Sequence, residues 1–279
     1  MANTSVTSGN FLVNAKDQLY DIFDKEIVRD EIVDNWWLMG SPYPVLTTVG
    51  FYLIFVLKLG PYVMKDRQPY KLKGLMLIYN IVQVIYNAFL LYWFFFTPDG
   101  VSYMWNHSCH PPKKETVSFL MFELYKGSWF YFLSKIIDLL DTVFFVLRKK
   151  QSHISLLHVY HHANMVITCW VQLRFYKNQD GILPGLINAF IHTIMYSYYF
   201  LAALGPHMQK YLWWKKYLTL MQITQFVIIL TWYTGLFSFQ CDFPKTYMAY
   251  MFCNICLFLY LFTMFYKKTY EQNQKTKTG

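Results

Sequence analysis

Residues 75–96 read LMLIYNIVQVIYNAFLLYWFFF, an apolar block without Asp, Glu, Lys or Arg. A run of about 18 or more mostly apolar residues predicts a helix that crosses a bilayer. Blocks of this kind occur at about 42–60, 75–96, 118–147, 154–173, 184–204, 217–236 and 246–266. The sequence therefore predicts an all-α integral membrane protein with seven transmembrane helices. It divides into an N-terminal segment (1–40), a helical domain (41–266) and a tail (267–279).

Composition supports a polytopic membrane protein. Charged residues are 15% of the 279 residues and aromatic residues are 21%, whereas soluble domains contain about 25% charged residues. These values argue against a disordered chain, a disulfide scaffold and a soluble enzyme. The net charge of +9 does not indicate nucleic-acid binding, because the basic residues form short runs between apolar blocks rather than a recognisable binding module.

Lysines and arginines in the short connections predict the orientation. Most lie on one side, in four groups: Lys65, Arg67, Lys71 and Lys73; Arg148, Lys149 and Lys150; Lys210, Lys215 and Lys216; and Lys267, Lys268, Lys275 and Lys277. The positive-inside rule makes this side cytosolic. The N-terminus is then lumenal and the C-terminus cytosolic. Residues 1–40 contain no apolar signal-peptide core, so no cleaved signal peptide is expected.

Sequence features on the opposite side agree with a lumenal location. The sequons at Asn3 and Asn106 lie there, and N-glycosylation is expected at both. Cys109 and Cys241 lie in polar connections on the same side, where an oxidising compartment permits a disulfide.

The tail ends Lys-Thr-Lys-Thr-Gly, with Lys275 and Lys277 five and three positions from the end. This has the form of a di-lysine retrieval signal, which is read from the cytosol. The alternative is a solvated basic end. Together with the topology, the tail predicts a multi-pass protein of the endoplasmic reticulum membrane.

Polar residues within spans are functional candidates, because they are costly in a bilayer. His158, His161 and His162 stand at helical positions i, i+3 and i+4 and share one helix face. A lone histidine would be interpreted as a packing residue, but three on one face favour a catalytic or binding role.

Three further spans carry polar stripes. The third span contains Lys135, Asp138 and Asp141. Lys135 and Asp138 lie one helical turn apart, where they can form an ion pair. That pair could have a functional role or could only stabilise the fold. The fifth span places Asn188, His192, Met195, Tyr196 and Tyr199 on one face, and the sixth contains Thr219, Gln222 and Gln225. The alternative to a functional role is aromatic packing for the fifth span and interhelical hydrogen bonding for the sixth.

Helical rise places all four stripes in the cytosolic half of the membrane, which predicts a single site. One alternative is a di-iron desaturase or hydroxylase, which needs several histidine boxes, whereas this chain has one HxxHH. A seven-helix receptor or retinal protein is another. Residues 246–266 contain no lysine for a Schiff base, and the polar stripes lie near the cytosol rather than the outer face.

The four stripes together resemble the motifs of the ELO/ELOVL family of very-long-chain fatty acid elongases. Its KxxExxDT motif corresponds to Lys135–Thr142, HxxHH to His158–His162, HxxMYxYY to His192–Tyr199 and TxxQxxQ to Thr219–Gln225. The resemblance covers the chain from about Trp36 to the tail. One position departs from the pattern, since Asp138 stands where the family has Glu.

The resemblance implies an acyltransferase that condenses a long-chain acyl-CoA with malonyl-CoA, releasing CO2 and CoA and giving a 3-oxoacyl-CoA two carbons longer. It implies seven helices around an acyl tunnel, no cofactor and no metal, and action beside the reductase and dehydratase of the elongation cycle. It also implies a Cys109–Cys241 disulfide. Membrane lipid and the two CoA thioesters are the expected partners, and nucleic acid is not.

Roles for individual residues follow from the resemblance and from chemistry. His161 is the expected nucleophile, because imidazole forms acyl intermediates, and His192 faces it. Supporting catalytic roles are assigned to His158, His162, Lys135, Asp138 and Asp141, and oxyanion donation to Asn188, Gln222 and Gln225. Substrate contacts are assigned to Arg148, Lys149, Lys150, Lys215 and Lys216, for the CoA phosphates, and to Tyr196 and Tyr199.

Overall fold

A computed structural model describes residues 24–111, 119–177 and 179–272. Asn3, Lys275 and Lys277 lie outside these residues. All regular structure in the described ranges is helical. The main helices are α1 (Pro42–Ile54), α2 (Lys73–Phe96), α3 (Gly100–His107), α4 (Phe119–Leu147), α5 (Leu156–Val171), α6 (Ile182–Leu204), α7 (Lys215–Ser238) and α8 (Lys245–Tyr266).

Shorter helical segments extend or connect these helices. A π-helical turn, Phe55–Leu59, and the helix Gly60–Met64 prolong α1, and the π-helical turns Gln172–Tyr176 and Lys267–Gln272 prolong α5 and α8. The remaining segments are the helix Glu31–Asp34 and the 3₁₀ turns Gln151–His153, Gln179–Gly181 and Pro206–Tyr211.

Five helices are long and apolar enough to cross a membrane: Pro42–Met64, Lys73–Phe96, Gln179–Leu204, Lys215–Ser238 and Lys245–Glu271. The other two predicted spans are also helical, as α4 and α5. They are more polar, because α4 carries five charged side chains and α5 carries the three histidines of HxxHH. Five spans are thus confirmed by length and composition, while the count of seven and the orientation stay predictions.

Six of the helices form a closed ring. Contacts run in the order α4, α2, α6, α7, α8, α5 and back to α4, and α1 packs outside the ring against α5 and α4. One end of the ring carries the basic connections at 65–73, 148–150 and 210–216 and is called the basic end. The opposite end, with Cys109 and Cys241, is called the disulfide end.

The crossing of α1 with α4 depends on a glycine. A Cβ on Gly60 would lie 2.6 Å from Cγ1 of Val146 and 2.7 Å from the carbonyl oxygen of Phe55. Neither atom can move away easily, because Val146 is fully buried and the Phe55 oxygen belongs to the backbone. Gly60 therefore allows the end of α1 to approach α4 closely.

The N-terminal segment covers part of the disulfide end. Glu26 accepts a hydrogen bond of 2.8 Å from the backbone N–H of Lys245. Asp34 accepts one of 2.7 Å from the buried Nζ of Lys177 and pairs with Arg174. Burial alone would raise the pKa of Asp34, but the two cations lower it. Burial lowers the pKa of Lys177, and Asp34 offsets only part of this effect.

A disulfide joins Cys109, after α3, to Cys241, between α7 and α8, with a Cα–Cα distance of 4.5 Å. Beside it, the N–H of Asp242 donates to the carbonyl oxygen of Cys109 at 2.8 Å. The structure thus contains the predicted pairing, which links the connection between α7 and α8 to the connection between α3 and α4.

Breaking this disulfide is expected to lower stability. The bond closes a loop with a sequence separation of 132 residues, for which the chain-entropy model gives up to about 4–5 kcal/mol. We expect Cys109→Ser, Cys241→Ser and the double variant to lower the thermal unfolding temperature equally, because each removes the same bond. Cys253→Ser, at an exposed free cysteine, is the control. Alkylation of both thiols in unreduced, denatured protein would contradict the pairing.

Candidate active site

A buried ion pair on α4 lies at the centre of the polar site. Lys135 Nζ is 2.9 Å from Asp138 Oδ2, and both side chains are only 2% exposed. The same ammonium donates to Asn188 Oδ1 at 3.0 Å and lies 3.5 Å from His192 Nδ1. The polar stripes of α4 and α6 therefore meet, as the sequence predicted.

The second carboxylate oxygen of Asp138 is bound from two other helices. Gln83 of α2 donates to Oδ1 from Nε2 at 2.6 Å, and the Tyr196 hydroxyl lies 3.0 Å from it. The same hydroxyl lies 2.7 Å from Asp141 Oδ2, so its single hydrogen serves one carboxylate at a time. Asp138 thus connects α2, α4 and α6 through hydrogen bonds.

The contribution of α2 is absent from the sequence prediction. Asn80, Gln83 and Asn87 are buried on α2, and Tyr79 accepts a hydrogen bond of 3.0 Å from Gln83. Positions 80, 83 and 87 follow helical spacing and interrupt the otherwise apolar block. The spacing of these three polar residues in the sequence could have predicted a polar helix face directed into the bundle.

The three histidine rings of α5 form one cluster, in which His161 and His162 lie 5.4 Å apart between centroids. The rings of His158 and His162 lie 4.3 Å apart between centroids. The ring of His161 turns towards α8, 5.1 Å from Phe258 and 6.0 Å from Phe262. His161 is thus held by aromatic packing at the wall of the bundle interior.

A cavity inside the ring begins beside His161. We call it the site cavity. His161 of α5, Asn188 of α6 and Gln225 of α7 contribute polar groups to its wall, and Phe226 and Ile229 continue it with apolar surface. An interior wall with a few convergent polar groups on otherwise apolar surface is typical of a ligand site.

The two amide side chains of this wall, Asn188 and Gln225, differ in how many hydrogen bonds hold them. Asn188 Oδ1 accepts from both Lys135 and the Tyr131 hydroxyl, the latter at 2.9 Å. This fixes the amide, so that its NH2 group is the branch left for other acceptors. Gln225 is 5% exposed, and its Oε1 is buried without a hydrogen bond to another described residue.

Several predicted site residues lie away from the cavity wall. Gln222 Nε2 lies 3.5 Å from Met195 Sδ, and Thr219 Oγ1 lies 3.4 Å from the Tyr270 hydroxyl. Tyr196 is fully buried in the Asp138 network, and Tyr199 packs against its ring at 6.0 Å between centroids. Substrate contact by these two tyrosines stays a prediction.

Basic side chains gather at the basic end near the α4–α5 connection. The pKa of His153 is lowered by desolvation of its ring and by three nearby cations, Lys215, Lys150 and Arg148. Lys215 at the start of α7 and Arg148 near the end of α4 thus act electrostatically on the same imidazole. Two other predicted phosphate ligands contact protein groups: Lys149 donates to the Lys65 carbonyl at 2.9 Å, and Lys216 lies over the Tyr217 ring at 4.9 Å.

Within the described ranges, no three His, Cys, Asp or Glu side chains are arranged to hold a metal ion. The absence of a cofactor stays a prediction. Asn106 is exposed near the end of α3, where a glycan would be accessible, and its glycosylation is likewise a prediction.

Comparison with known proteins identifies the family. The ELO family, described as the GNS1/SUR4 family, matches residues 37–278. The chain belongs to the ELO family. It is 40% identical over 255 residues to very long chain fatty acid elongase 4 of Macaca mulatta, covering 90% of this chain and 79% of the relative.

Other relatives give the same result. The chain is 37% identical over 261 residues to very long chain fatty acid elongase 7 of Rattus norvegicus, covering 92% and 91% of the two proteins. It is 36% identical over 267 residues to a very long chain fatty acid elongase of Aedes aegypti, covering 94% of this chain and 72% of the relative. The predicted family is confirmed.

This ELO chain should depend on Gln83 for the stability of the Asp138 network. Gln83→Leu removes the 2.6 Å bond to Asp138, and hydrogen bonds to charged groups contribute about 1.5–3 kcal/mol. We expect the free energy of unfolding to fall by about this amount, and Gln83→Glu to cost more because it adds a like charge. Chemical unfolding in detergent measures both.

Asn87→Leu is the matched control for Gln83→Leu. Asn87 lies one turn away on α2, is equally buried, and donates to the Gln83 carbonyl of its own helix at 2.9 Å. It makes no bond to Asp138, so the change should cost much less. Equal losses from Gln83→Leu and Asn87→Leu would show that the Asp138 bond has no special weight.

Proposed function

We propose that this chain condenses a long-chain acyl-CoA with malonyl-CoA to give a 3-oxoacyl-CoA two carbons longer, CO2 and CoA. Membership of the ELO family, and relatives named very long chain fatty acid elongases, support a role in very long chain fatty acid elongation. The observation that carries the chemistry is the position of His161, on the wall of a largely apolar cavity beside Asn188 and Gln225.

In the first step the unprotonated imidazole nitrogen of His161 attacks the thioester carbonyl of the acyl-CoA. The carbon–sulfur bond breaks, CoA leaves as a thiolate that takes up a proton, and the other ring nitrogen loses its proton. The product is an acyl-imidazole, which is itself a reactive acyl donor. The apolar wall beyond His161, including Phe226 and Ile229, accommodates the hydrocarbon chain.

In the second step malonyl-CoA loses CO2, and the electron pair of the broken carbon–carbon bond forms the enolate of acetyl-CoA. The enolate carbon attacks the acyl carbon and a new carbon–carbon bond forms. The bond from the acyl carbon to the ring nitrogen breaks, and His161 keeps that electron pair and takes up a proton from solvent to return to neutral imidazole. Asn188 supports this step, because its Oδ1 is held by two donors and its NH2 group is available to a developing oxyanion. Gln225 and Gln222 are assigned the same role.

The remaining site residues position these groups. Lys135 and Asp138 lie at 3.5 Å from His192 Nδ1, which orients that ring and leaves Nε2 for proton transfer opposite His161. His158 and His162 orient the HxxHH face, and Asp141 fixes Tyr196. Substrate contacts by Tyr196 and Tyr199 complete the assignment.

The proposed topology delivers CoA substrates to the basic end. Seven spans, a lumenal N-terminus and a cytosolic C-terminus place Arg148, Lys149, Lys150, Lys215 and Lys216 in the cytosol, where CoA phosphates would meet them. We assign the protein to the endoplasmic reticulum membrane, with retrieval by Lys275 and Lys277. The 3-oxo product then requires reduction and dehydration by partner enzymes.

Cys169 is the rival nucleophile. It lines the site cavity and is 7% exposed. It lies eight residues beyond His161 on the same helix, which is about 12 Å at the α-helical rise. Acylation at Cys169 and acylation at His161 would therefore place the acyl carbon at different levels of the bundle, and the adduct can be mapped to one residue or the other.

His161→Ala should abolish acyl transfer to the protein. Wild-type protein incubated with acyl-CoA, without malonyl-CoA, should release CoA and gain the mass of one acyl group. The variant should do neither, while its unfolding temperature stays close to that of the wild type. Intact-mass spectrometry, with peptide mapping of the adduct, is the decisive measurement.

Two matched variants sharpen this test. Cys169→Ala and Met165→Ala alter the same helix and the same cavity wall, and both should still become acylated. An adduct on Cys169, or an unmodified wild-type enzyme that nevertheless condenses both substrates, would overturn the acyl-histidine mechanism.

Neutralising the basic cluster should weaken CoA binding. Lys215→Gln removes one of the three cations that act on His153. We expect KM for acyl-CoA to rise about twofold to fivefold with kcat unchanged, as for the loss of a partly solvated ion pair of about 0.5–1 kcal/mol. Lys210→Gln, at the same end but not among those cations, is the control. Equal KM values for wild type and Lys215→Gln would remove this residue from the site.

A further inference from the structure

A second cavity lies beside the site cavity, towards the disulfide end between α2, α4 and α6. It is called the side cavity. Leu90 and Phe94 of α2, Leu124 of α4 and Leu186 of α6 give it a mainly apolar wall. A wall of this composition suits a hydrocarbon chain rather than a polar group.

The two cavities share part of their walls. Tyr131, Cys169, Gln172, Gly181 and Gly185 line both, so these residues form the partition between them. Tyr131 is fixed by its 2.9 Å hydrogen bond to Asn188, Cys169 is short, and the glycines have no side chain. Gln172 is the one long, flexible side chain of the partition.

The amide of Gln172 lies directly over Gly181. A Cβ built on Gly181 would lie 1.6 Å from Gln172 Nε2 and 2.4 Å from Cδ, so only glycine permits this contact. Among the described residues, none forms a hydrogen bond with this amide, so removal of the side chain breaks no hydrogen bond within that part of the chain.

The distance from the proposed reaction centre to the partition gives it a functional meaning. Gln172 stands eleven residues beyond His161, about 16 Å at the helical rise. An acyl chain attached at His161 and extended along α5 reaches the partition at that distance. Additional carbons must either fold back within the site cavity or enter the side cavity.

We propose that Gln172 determines the acyl-chain length that this protein accepts, by closing the site cavity against the side cavity. The inference rests on the proposed function, in which His161 carries the acyl chain. Removal of the Gln172 side chain joins the two cavities, and the added apolar wall receives the methyl end of longer chains.

The test compares the full-length wild type with Gln172→Ala on a series of saturated acyl-CoAs that differ by two carbons. Two readouts are taken: thermal stabilisation by each acyl-CoA, which reports occupancy of the cavity by the acyl chain before condensation, and kcat/KM for condensation with malonyl-CoA. Each methylene that gains a buried position contributes about 0.8 kcal/mol. The longest accepted chains should therefore gain about fourfold per methylene in affinity and in kcat/KM, while short chains stay unchanged.

Two further variants guard the interpretation. Gln172→Asn keeps the amide but shortens the side chain by one methylene, and should shift the preference in the same direction by less, even if Gln172→Ala folds poorly. Leu186→Ala enlarges the side cavity without touching the partition, and should leave the chain-length profile of the wild type in place.

The outcomes separate the two proposals. Coincident binding profiles for wild type, Gln172→Ala and Gln172→Asn would overturn the partition. A shift in the binding profile without condensation by any variant would support the partition and overturn the proposed reaction. A shift produced equally by Leu186→Ala would assign chain length to the volume of the side cavity and overturn the role of Gln172.

Discussion

The ion pair between Lys135 and Asp138 is the constraint on which the site depends. Two charges at 2% exposure are tolerated in an apolar bundle only if every remaining donor and acceptor is satisfied. Because the residues lie one turn apart, the pair forms within α4 itself. Its remaining hydrogen bonds must come from other helices, and Gln83 of α2 and Asn188 of α6 supply them. The same requirement that stabilises the charges therefore fixes three helices of the ring and orients the amide at the cavity wall.

The sequence predicted most of this arrangement, because apolar blocks and helical spacing are properties of single segments. Lys135, His192 and Asn188 were expected to converge, and they do. Gln83 was not expected, since a polar residue inside an apolar span gives no indication of the partner it faces until the neighbouring helix is known. Two further features could not be predicted for the same reason: the position of α1 outside the ring and the contact of Gln172 with Gly181. Both depend on packing between segments that are distant in sequence.

The sixth predicted span shows a limit of spacing as a guide. Residues three apart on an α-helix are separated by about 300°, so a row at three-residue spacing turns by about 60° at each step and by about 120° over two steps. Thr219 and Gln225 therefore point about 120° apart around α7. The structure divides the motif accordingly: Gln225 lines the cavity, whereas Thr219 approaches Tyr270 and Gln222 approaches Met195.

The pairing of the N-terminal segment has a consequence for biosynthesis. Glu26 is among the first described residues to leave the ribosome, yet its hydrogen-bond partner Lys245 follows 219 positions later. Asp34 likewise waits for Arg174 and Lys177. Closure of the disulfide end therefore cannot precede synthesis of Lys245, the first residue of α8. Until then the acidic segment must stay solvated, and a nascent chain arrested before α8 would leave Glu26 without its anchor on Lys245.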